Sequence, residues 1–116
     1  MKKLIFASLA LFALTVSSCS VTSSTLIKSK ESFVLGDNQH GSFSVKMKNV
    51  SFSNLTYYYA PIDGGTHSPQ LIKPFQSANI KVDKNTALVI DNQTDITATV
   101  KLKITGDVGL SMGYKH

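Results

Sequence analysis

The residue types with the most potential for chemistry lie in one segment, APIDGGTHSPQLIKP, which runs from Ala60 to Pro74 and contains every proline of the chain. Within it, Asp63, His67 and Ser68 bring together a carboxylate, an imidazole and a hydroxyl. Hydrolysis by such a set requires the serine Oγ within hydrogen-bond reach of an imidazole that a carboxylate orients. His67 and Ser68 are neighbours in sequence, and adjacent side chains usually diverge, so a serine hydrolase is not expected.

Two interpretations of this segment stay open. Long loops on β-sandwiches commonly carry binding residues, which makes Asp63 and His67 candidates for contact with a ligand. The plainer interpretation is a proline-stiffened crossover between two sheets, with His67 in solvent. A glycosidase would need two carboxylates about 5 to 9.5 Å apart, and Glu31 is the single glutamate. The segment therefore favours binding over catalysis.

A metal site is the other enzyme-like possibility. Two histidines and a third carboxylate or imidazole could ligate a transition metal. Strong metal motifs have ligands at fixed short offsets, and these residues are scattered along the chain, so neither a metal nor a cofactor is expected. A small metal-dependent or carbohydrate-acting enzyme that uses residues 60–74 is kept as the alternative. The possible ligands are His40, His67, Asp37, Asp63 and His116.

Three consecutive tyrosines, Tyr57, Tyr58 and Tyr59, come just before this segment. On a strand, two of the rings point to one face and one to the other. Core packing and β-propensity account for them most simply. The sharper hypothesis is an aromatic platform on which Tyr58 and His67 stack against a sugar or hold a partner strand. Unchanged binding after Tyr58→Ala and His67→Ala would exclude that platform.

The N-terminus has the pattern of an export signal. Two lysines precede an apolar run of 13 residues, LIFASLALFALTV, from Leu4 to Val16, which is the length of a signal-peptide core. A transmembrane helix needs about 20 apolar residues, and Ser17 and Ser18 end the run too early. The sequence therefore predicts a signal peptide over residues 1–18.

The residues around the end of the predicted signal peptide are Val16-Ser17-Ser18-Cys19, an aliphatic residue, two small residues and a cysteine. This motif resembles the lipobox of bacterial lipoproteins, and the resemblance implies cleavage before Cys19 and lipidation of its sulfur. Lipidation would also account for a lone cysteine, which would otherwise be a free thiol in an oxidising compartment. The alternative is ordinary signal-peptidase cleavage that leaves Cys19 unmodified.

The residues after Cys19 indicate which membrane holds the protein and how far the domain lies from that membrane. Ser20 stands where an aspartate is often a signal for retention in the inner membrane, so the resemblance implies the periplasmic face of the outer membrane. The polar stretch from Ser20 to Thr25 is predicted to be a flexible tether, so that residues 19–25 link the lipid to the domain. At about 3.3 Å per residue, it would keep the domain within about 20 Å of the bilayer.

Chain length and net charge limit the number of domains and the classes of ligand that are expected. The chain of 116 residues suffices for one domain. Its formal net charge of +5 includes Lys2 and Lys3, and without these two the charge is +3. Because that charge is small and arginine is absent, nucleic-acid binding is not expected.

Beyond residue 25 the apolar residues alternate with polar ones, as in FSVKMK from Phe43 and VKLKIT from Val100. This period of two predicts half-buried strands with lysines on the solvated face. Turn residues separate the runs. We therefore predict an all-β domain over residues 26–116, an antiparallel β-sandwich or partly open barrel of about seven strands. The predicted strands are Glu31–Leu35, Ser42–Val50, Leu55–Ala60, Phe75–Val82, Thr86–Asp91, Thr97–Thr105 and Leu110–Tyr114. Leu26–Ile27 and Gln70–Ile72 stay open as further short strands.

As a whole, the chain resembles small uncharacterised lipoproteins of the Bacteroidota type, through its lysine-only basic residues, its lipobox and its strand-rich domain. Three Asn-x-Ser/Thr tripeptides, at Asn49, Asn54 and Asn92, match the N-glycosylation pattern, and in a bacterial lipoprotein this match is coincidental. The resemblance implies no activity and carries over only Cys19. The expected function is a lipid-anchored envelope protein with a non-catalytic binding or structural module. Its expected partners are the membrane and an envelope protein or glycan.

Overall fold

The computed structural model describes residues 20–115, and the predicted signal peptide, Cys19 and His116 lie outside the described residues. None of the described residues forms a helix that is long and apolar enough to cross a membrane. The regular elements of residues 20–115 are nine β-strands. They are β1 (Ser20–Ile27), β2 (Glu31–Leu35), β3 (Phe43–Asn49), β4 (Leu55–Pro61), β5 (Gln70–Ile72), β6 (Ser77–Val82), β7 (Thr86–Asn92), β8 (Ala98–Gly106) and β9 (Met112–Lys115).

These strands form two antiparallel sheets, a four-stranded one in the order β1-β8-β3-β6 and a five-stranded one in the order β5-β4-β7-β2-β9. The predicted all-β sandwich is confirmed, with nine strands rather than seven. Successive side chains of a strand point to opposite faces, so every second residue enters the core. The largest fully buried side chains include Ile27, Leu35, Met47, Leu88, Ile90, Leu102 and Ile104.

The polar stretch predicted to be a flexible tether is instead strand β1, which is a correction to the sequence analysis. Every residue of β1 is paired with β8, from Ser20 opposite Thr105 to Ile27 opposite Ala98. Serine and threonine suit an edge strand because only one face must be covered, and Val21 packs against the core from that face. The Ser/Thr composition therefore marks a solvated strand and not a linker.

The loops divide between the two ends of the sandwich. One end, called the groove end below, carries the four loops 36–42, 62–69, 83–85 and 107–111 together with the start of β1. The opposite end, called the asparagine end, carries the turns 28–30, 50–54, 73–76 and 93–97. The long segment of the sequence analysis is shorter than expected, since β4 extends to Pro61 and β5 begins at Gln70.

At the asparagine end, fully buried Asn49 finishes β3 and joins it to the other sheet. Its amide donates to the carbonyl of Ser53 at 2.7 Å and to that of Ile72, in β5, at 3.1 Å. Its Oδ1 accepts the Ser51 N–H at 3.0 Å and the Ser51 hydroxyl at 2.6 Å. One side chain therefore shapes the turn and bonds the two sheets together.

Asn92 repeats this arrangement at the end of β7, and it too is fully buried. Its amide donates to the carbonyls of Ile27 in β1, Lys28 and Ile96 at 2.9, 3.2 and 2.8 Å. Its Oδ1 accepts the N–H and the hydroxyl of Thr94 at 3.0 and 2.6 Å. Two of the Asn-x-Ser/Thr tripeptides thus form the same structural motif, once from each sheet.

Replacing either buried asparagine is expected to destabilise the fold strongly. Asn49→Ala and Asn92→Ala should each lower the free energy of unfolding by about 2 to 4 kcal/mol, because several backbone carbonyls and N–H groups lose their buried partner. Urea denaturation of the chain from Cys19 onward measures this change. Asn54→Ala is the matched control, since Asn54 is exposed and should change stability by less than about 0.5 kcal/mol. Losses below about 1 kcal/mol at both buried sites would contradict the assignment.

Candidate functional site

The groove end contains an open groove with a volume of about 890 Å³. Pro61, Ile62 and Asp63 form one wall, and the turn between β6 and β7 forms another with Lys84 and Asn85. Asp83, Thr86, Gln39 and Ser42 add further polar groups. The lining therefore offers two carboxylates, two amides and two hydroxyls over a short apolar wall.

Backbone hydrogen bonds hold the 62–69 loop against its neighbours. The Ile62 N–H donates to the Asn85 carbonyl at 3.0 Å, and the His67 N–H donates to the Tyr59 carbonyl at 3.0 Å. Gly64 and Gly65 lie between these two bonds with φ of 119° and 86°, a region that side chains disfavour. The loop is thus tied at both ends and turns at the glycine pair, which fixes Asp63 at the groove.

His40 ties the 36–42 loop to the 83–85 turn. Its N–H donates to Asn85 Oδ1 at 2.9 Å, and its carbonyl accepts the Asn85 N–H at 3.1 Å. The ring nitrogens lie 2.9 Å from the Thr86 carbonyl and 2.6 Å from the Gly41 carbonyl. Both nitrogens are therefore occupied by backbone oxygens. Within residues 20–115, no three His, Cys, Asp or Glu side chains gather closely enough to hold a metal ion.

Asp107 organises the last loop of this end. Its carboxylate accepts the Gly41 N–H at 2.6 Å and the Gly109 N–H at 2.9 Å. These two bonds, with Gly41 the larger cause, hold the pKa of Asp107 below its ordinary 3.8, and a nearby positive charge on His40 acts in the same direction. The ionised carboxylate is the form that the backbone donors stabilise.

Asp107→Asn tests this role through pH. Because the folded-state pKa is depressed, the carboxylate stabilises the fold fully above the unfolded value of 3.8, and this contribution is lost as pH falls through the folded pKa. Wild type should therefore be more stable than Asp107→Asn at neutral pH, and the difference should shrink in strongly acidic buffer. Urea midpoints of both proteins over a pH series measure it. A difference that does not depend on pH would contradict the assignment.

The three binding residues predicted from sequence do not share one surface. Asp63 lines the groove. Tyr58 lies on the outer side of the five-stranded sheet, against Val34 and Val89. The His67 ring packs edge-on against Tyr59, with ring centroids 5.7 Å apart, and Tyr59 points to the opposite face of β4 from Tyr58. The aromatic neighbour of His67 is thus Tyr59, whose pKa is raised above 10.0 by burial and by the charges of Tyr57 and Asp83.

Sequence reasoning missed two features of this end. It treated Asp83, Lys84 and Asn85 only as a turn, although they line the groove. It also overlooked Gly109-Leu110-Ser111-Met112-Gly113, which matches the Gly-x-Ser-x-Gly pattern of hydrolase nucleophile elbows. That elbow needs a strand before it and a helix after it, whereas this match begins in the loop after β8 and ends inside strand β9, which starts at Met112. A strand and not a helix therefore follows its serine.

Comparison with known proteins adds information about the fold. No protein-family model and no curated protein matches the chain significantly. Among solved structures, the crystal structure of PirA is similar to it, with a TM-score of 0.52 and 13% sequence identity. The match covers 72% of this chain and 91% of the PirA chain. At such low identity the likeness concerns the sandwich fold alone.

Proposed function

We propose that this chain is a lipid-anchored protein of the bacterial cell envelope whose β-sandwich is a non-catalytic binding module. The observation that carries the proposal is the order of the parts along the chain. The lipobox-like motif ends at Cys19, and β1 begins at Ser20. Cleavage before Cys19 would therefore leave all nine strands of the described chain intact. The anchor would join the domain at its groove end, on the periplasmic face of the outer membrane.

The groove supports the binding part of the proposal. Carboxylate, amide and hydroxyl groups from Asp63, Asp83, Asn85 and Thr86 converge on it, and these groups suit hydrogen bonds to a ligand rich in hydroxyls. Two carboxylates against Lys84 disfavour an anionic ligand. The ligand class that fits is a neutral envelope glycan.

The anchor is tested by intact mass and membrane fractionation of wild type and Cys19→Ala in a bacterial host. Wild type should start at Cys19, carry a diacyl or triacyl mass increment and sediment with membranes. Two or three acyl chains hold a protein stably on a bilayer, so Cys19→Ala should lose the increment and leave the membrane fraction. An unlipidated wild-type product that begins near Cys19 would overturn the lipoprotein assignment.

Glycan binding is tested with an uncharged oligomer of N-acetylglucosamine, titrated into isotope-labelled chain from Cys19 onward. Amide shifts should concentrate at the groove, including Gly41 and Asn85. An Asp63→Ala and Asp83→Ala double variant should weaken binding by about 10-fold or more, as expected for the loss of two charged hydrogen-bond acceptors. Asp95→Ala is the matched control because its side chain is 92% exposed at the asparagine end. If Asp95→Ala weakens glycan binding as much as the double variant does, or if the amide shifts lie away from the groove, the groove is not the glycan site.

A further inference from the structure

The outer face of the four-stranded sheet is strongly basic. β1, β8, β3 and β6 contain no aspartate or glutamate. Their outward positions carry half of the ten lysines that follow Cys19. We call this surface the lysine face, and its lysines are Lys46, Lys48, Lys81, Lys101 and Lys103.

Within the lysine face, like charges stand directly opposite each other. Lys46 is the register partner of Lys103, and Lys48 that of Lys101. Like charges in opposite positions of two antiparallel strands are destabilising. An ion pair within the described residues joins Lys30 to Asp95, and neither of these residues belongs to the lysine face. An anion from outside the described chain would relieve this repulsion.

The charges at the groove end limit how the domain can sit beside a membrane. Four carboxylates lie in its loops, those of Asp37, Asp63, Asp83 and Asp107, against a single lysine in those same four loops, Lys84. A domain that stood on this end would press its carboxylates toward anionic headgroups. A domain that lay on the lysine face would present an excess of positive charge, since its four strands contain five outward lysines and no carboxylate.

The position of Cys19 allows the domain to lie with its lysine face on the bilayer. Ser20, next to Cys19, starts a row across the sheet that continues through Thr105 and Ser44 to Lys81. Strands are about 4.8 Å apart, so this row is about 14 Å long. A lipid on Cys19 would therefore hold a corner of the lysine face at the bilayer.

Exposed apolar side chains extend the same sheet toward the asparagine end. Leu26 is 59% exposed at an outward position of β1. Phe52 and Phe75 are 85% and 52% exposed, with ring centroids 5.3 Å apart. The Phe75 N–H donates to the Asn49 carbonyl at 2.6 Å, which joins this aromatic pair to the end of β3. Lysines combined with exposed Leu and Phe are the composition of surfaces that bind a membrane interface.

We propose that the lysine face docks flat on a bilayer through the phosphate groups of anionic lipids, with Leu26, Phe52 and Phe75 in the headgroup layer. This inference deepens the proposed function and rests on it for the nearness of the membrane. Its test is independent of lipidation, because an unlipidated chain must also recognise anionic lipid. The domain then lies on its side and leaves the groove at the edge of the contact, open to a glycan.

The experiment is vesicle sedimentation of the Cys19→Ser chain from residue 19 onward, which contains all nine described strands. Vesicles of phosphatidylcholine alone should bind little, and vesicles with a substantial share of phosphatidylglycerol should bind well at low salt and less at high salt. Each lysine near an anionic surface changes partitioning about five-fold. Lys46→Gln with Lys103→Gln should therefore weaken binding by about 25-fold.

The matched control is Lys30→Gln with Lys115→Gln, which removes the same charge beside the five-stranded sheet and should change binding less than about 3-fold. Urea midpoints exclude unfolding as the cause, because loss of the Lys46–Lys103 repulsion should leave stability unchanged or higher. Any of three results would overturn the proposal. The chain could bind both vesicle types equally, the control variant could lose as much binding as the test variant, or the chain could bind a soluble anionic polysaccharide more tightly than the vesicles. If Cys19 carries no lipid, the proposed anchor is wrong, whereas the measured binding of the unlipidated chain to anionic vesicles is unaffected.

Discussion

The two buried asparagines are the constraint on which the rest of the sandwich depends. The chain has a single cysteine, so no intrachain disulfide can join the sheets. Asn49 bonds β3 to β5, and Asn92 bonds β7 to β1. Each bond runs from one sheet to the other, at the same end of the molecule. The apolar core supplies the attraction between the sheets, and the asparagines determine where the sheets meet and how four turns close over them.

Joining the sheets at one end leaves the opposite end free to carry longer loops. The groove end contains loops of seven and eight residues, 36–42 and 62–69. Backbone bonds hold the 62–69 loop, and the side chains of His40, Asn85 and Asp107 hold the 36–42 loop. Carboxylates concentrate there, whereas lysines concentrate on the four-stranded sheet. The small overall charge thus conceals two surfaces of opposite sign. This separation of charge is why we propose a different class of ligand for each surface, a neutral glycan for the groove and anionic lipid for the lysine face.

Sequence patterns predicted the strands well where side chains alternate. β2 was predicted to the residue, and the other six predicted strands differ from the structure by two residues or fewer at each end. Two strands, β1 and β5, were not among these seven, although Leu26–Ile27 and Gln70–Ile72 stayed open as further short strands. β1 is rich in serine and threonine and buries few apolar groups, so its alternation is weak. β5 spans three residues, too few to establish a period.

By itself, the sequence determined the all-β class, the positions of most turns and the alternation that places lysines on the solvated side of β3 and β8, and it predicts an export signal. Only the tertiary structure decided which lysines stand opposite each other, that Tyr59 and not Tyr58 meets His67, and that Asp63 and Asp83 line one groove. It also decided that two Asn-x-Ser/Thr tripeptides join the sheets. The physical reason is that alternation is a local property of one strand, whereas register, strand order and loop contacts depend on residues tens of positions apart in sequence. Those pairings form only when the two sheets pack and all buried polar groups find partners together.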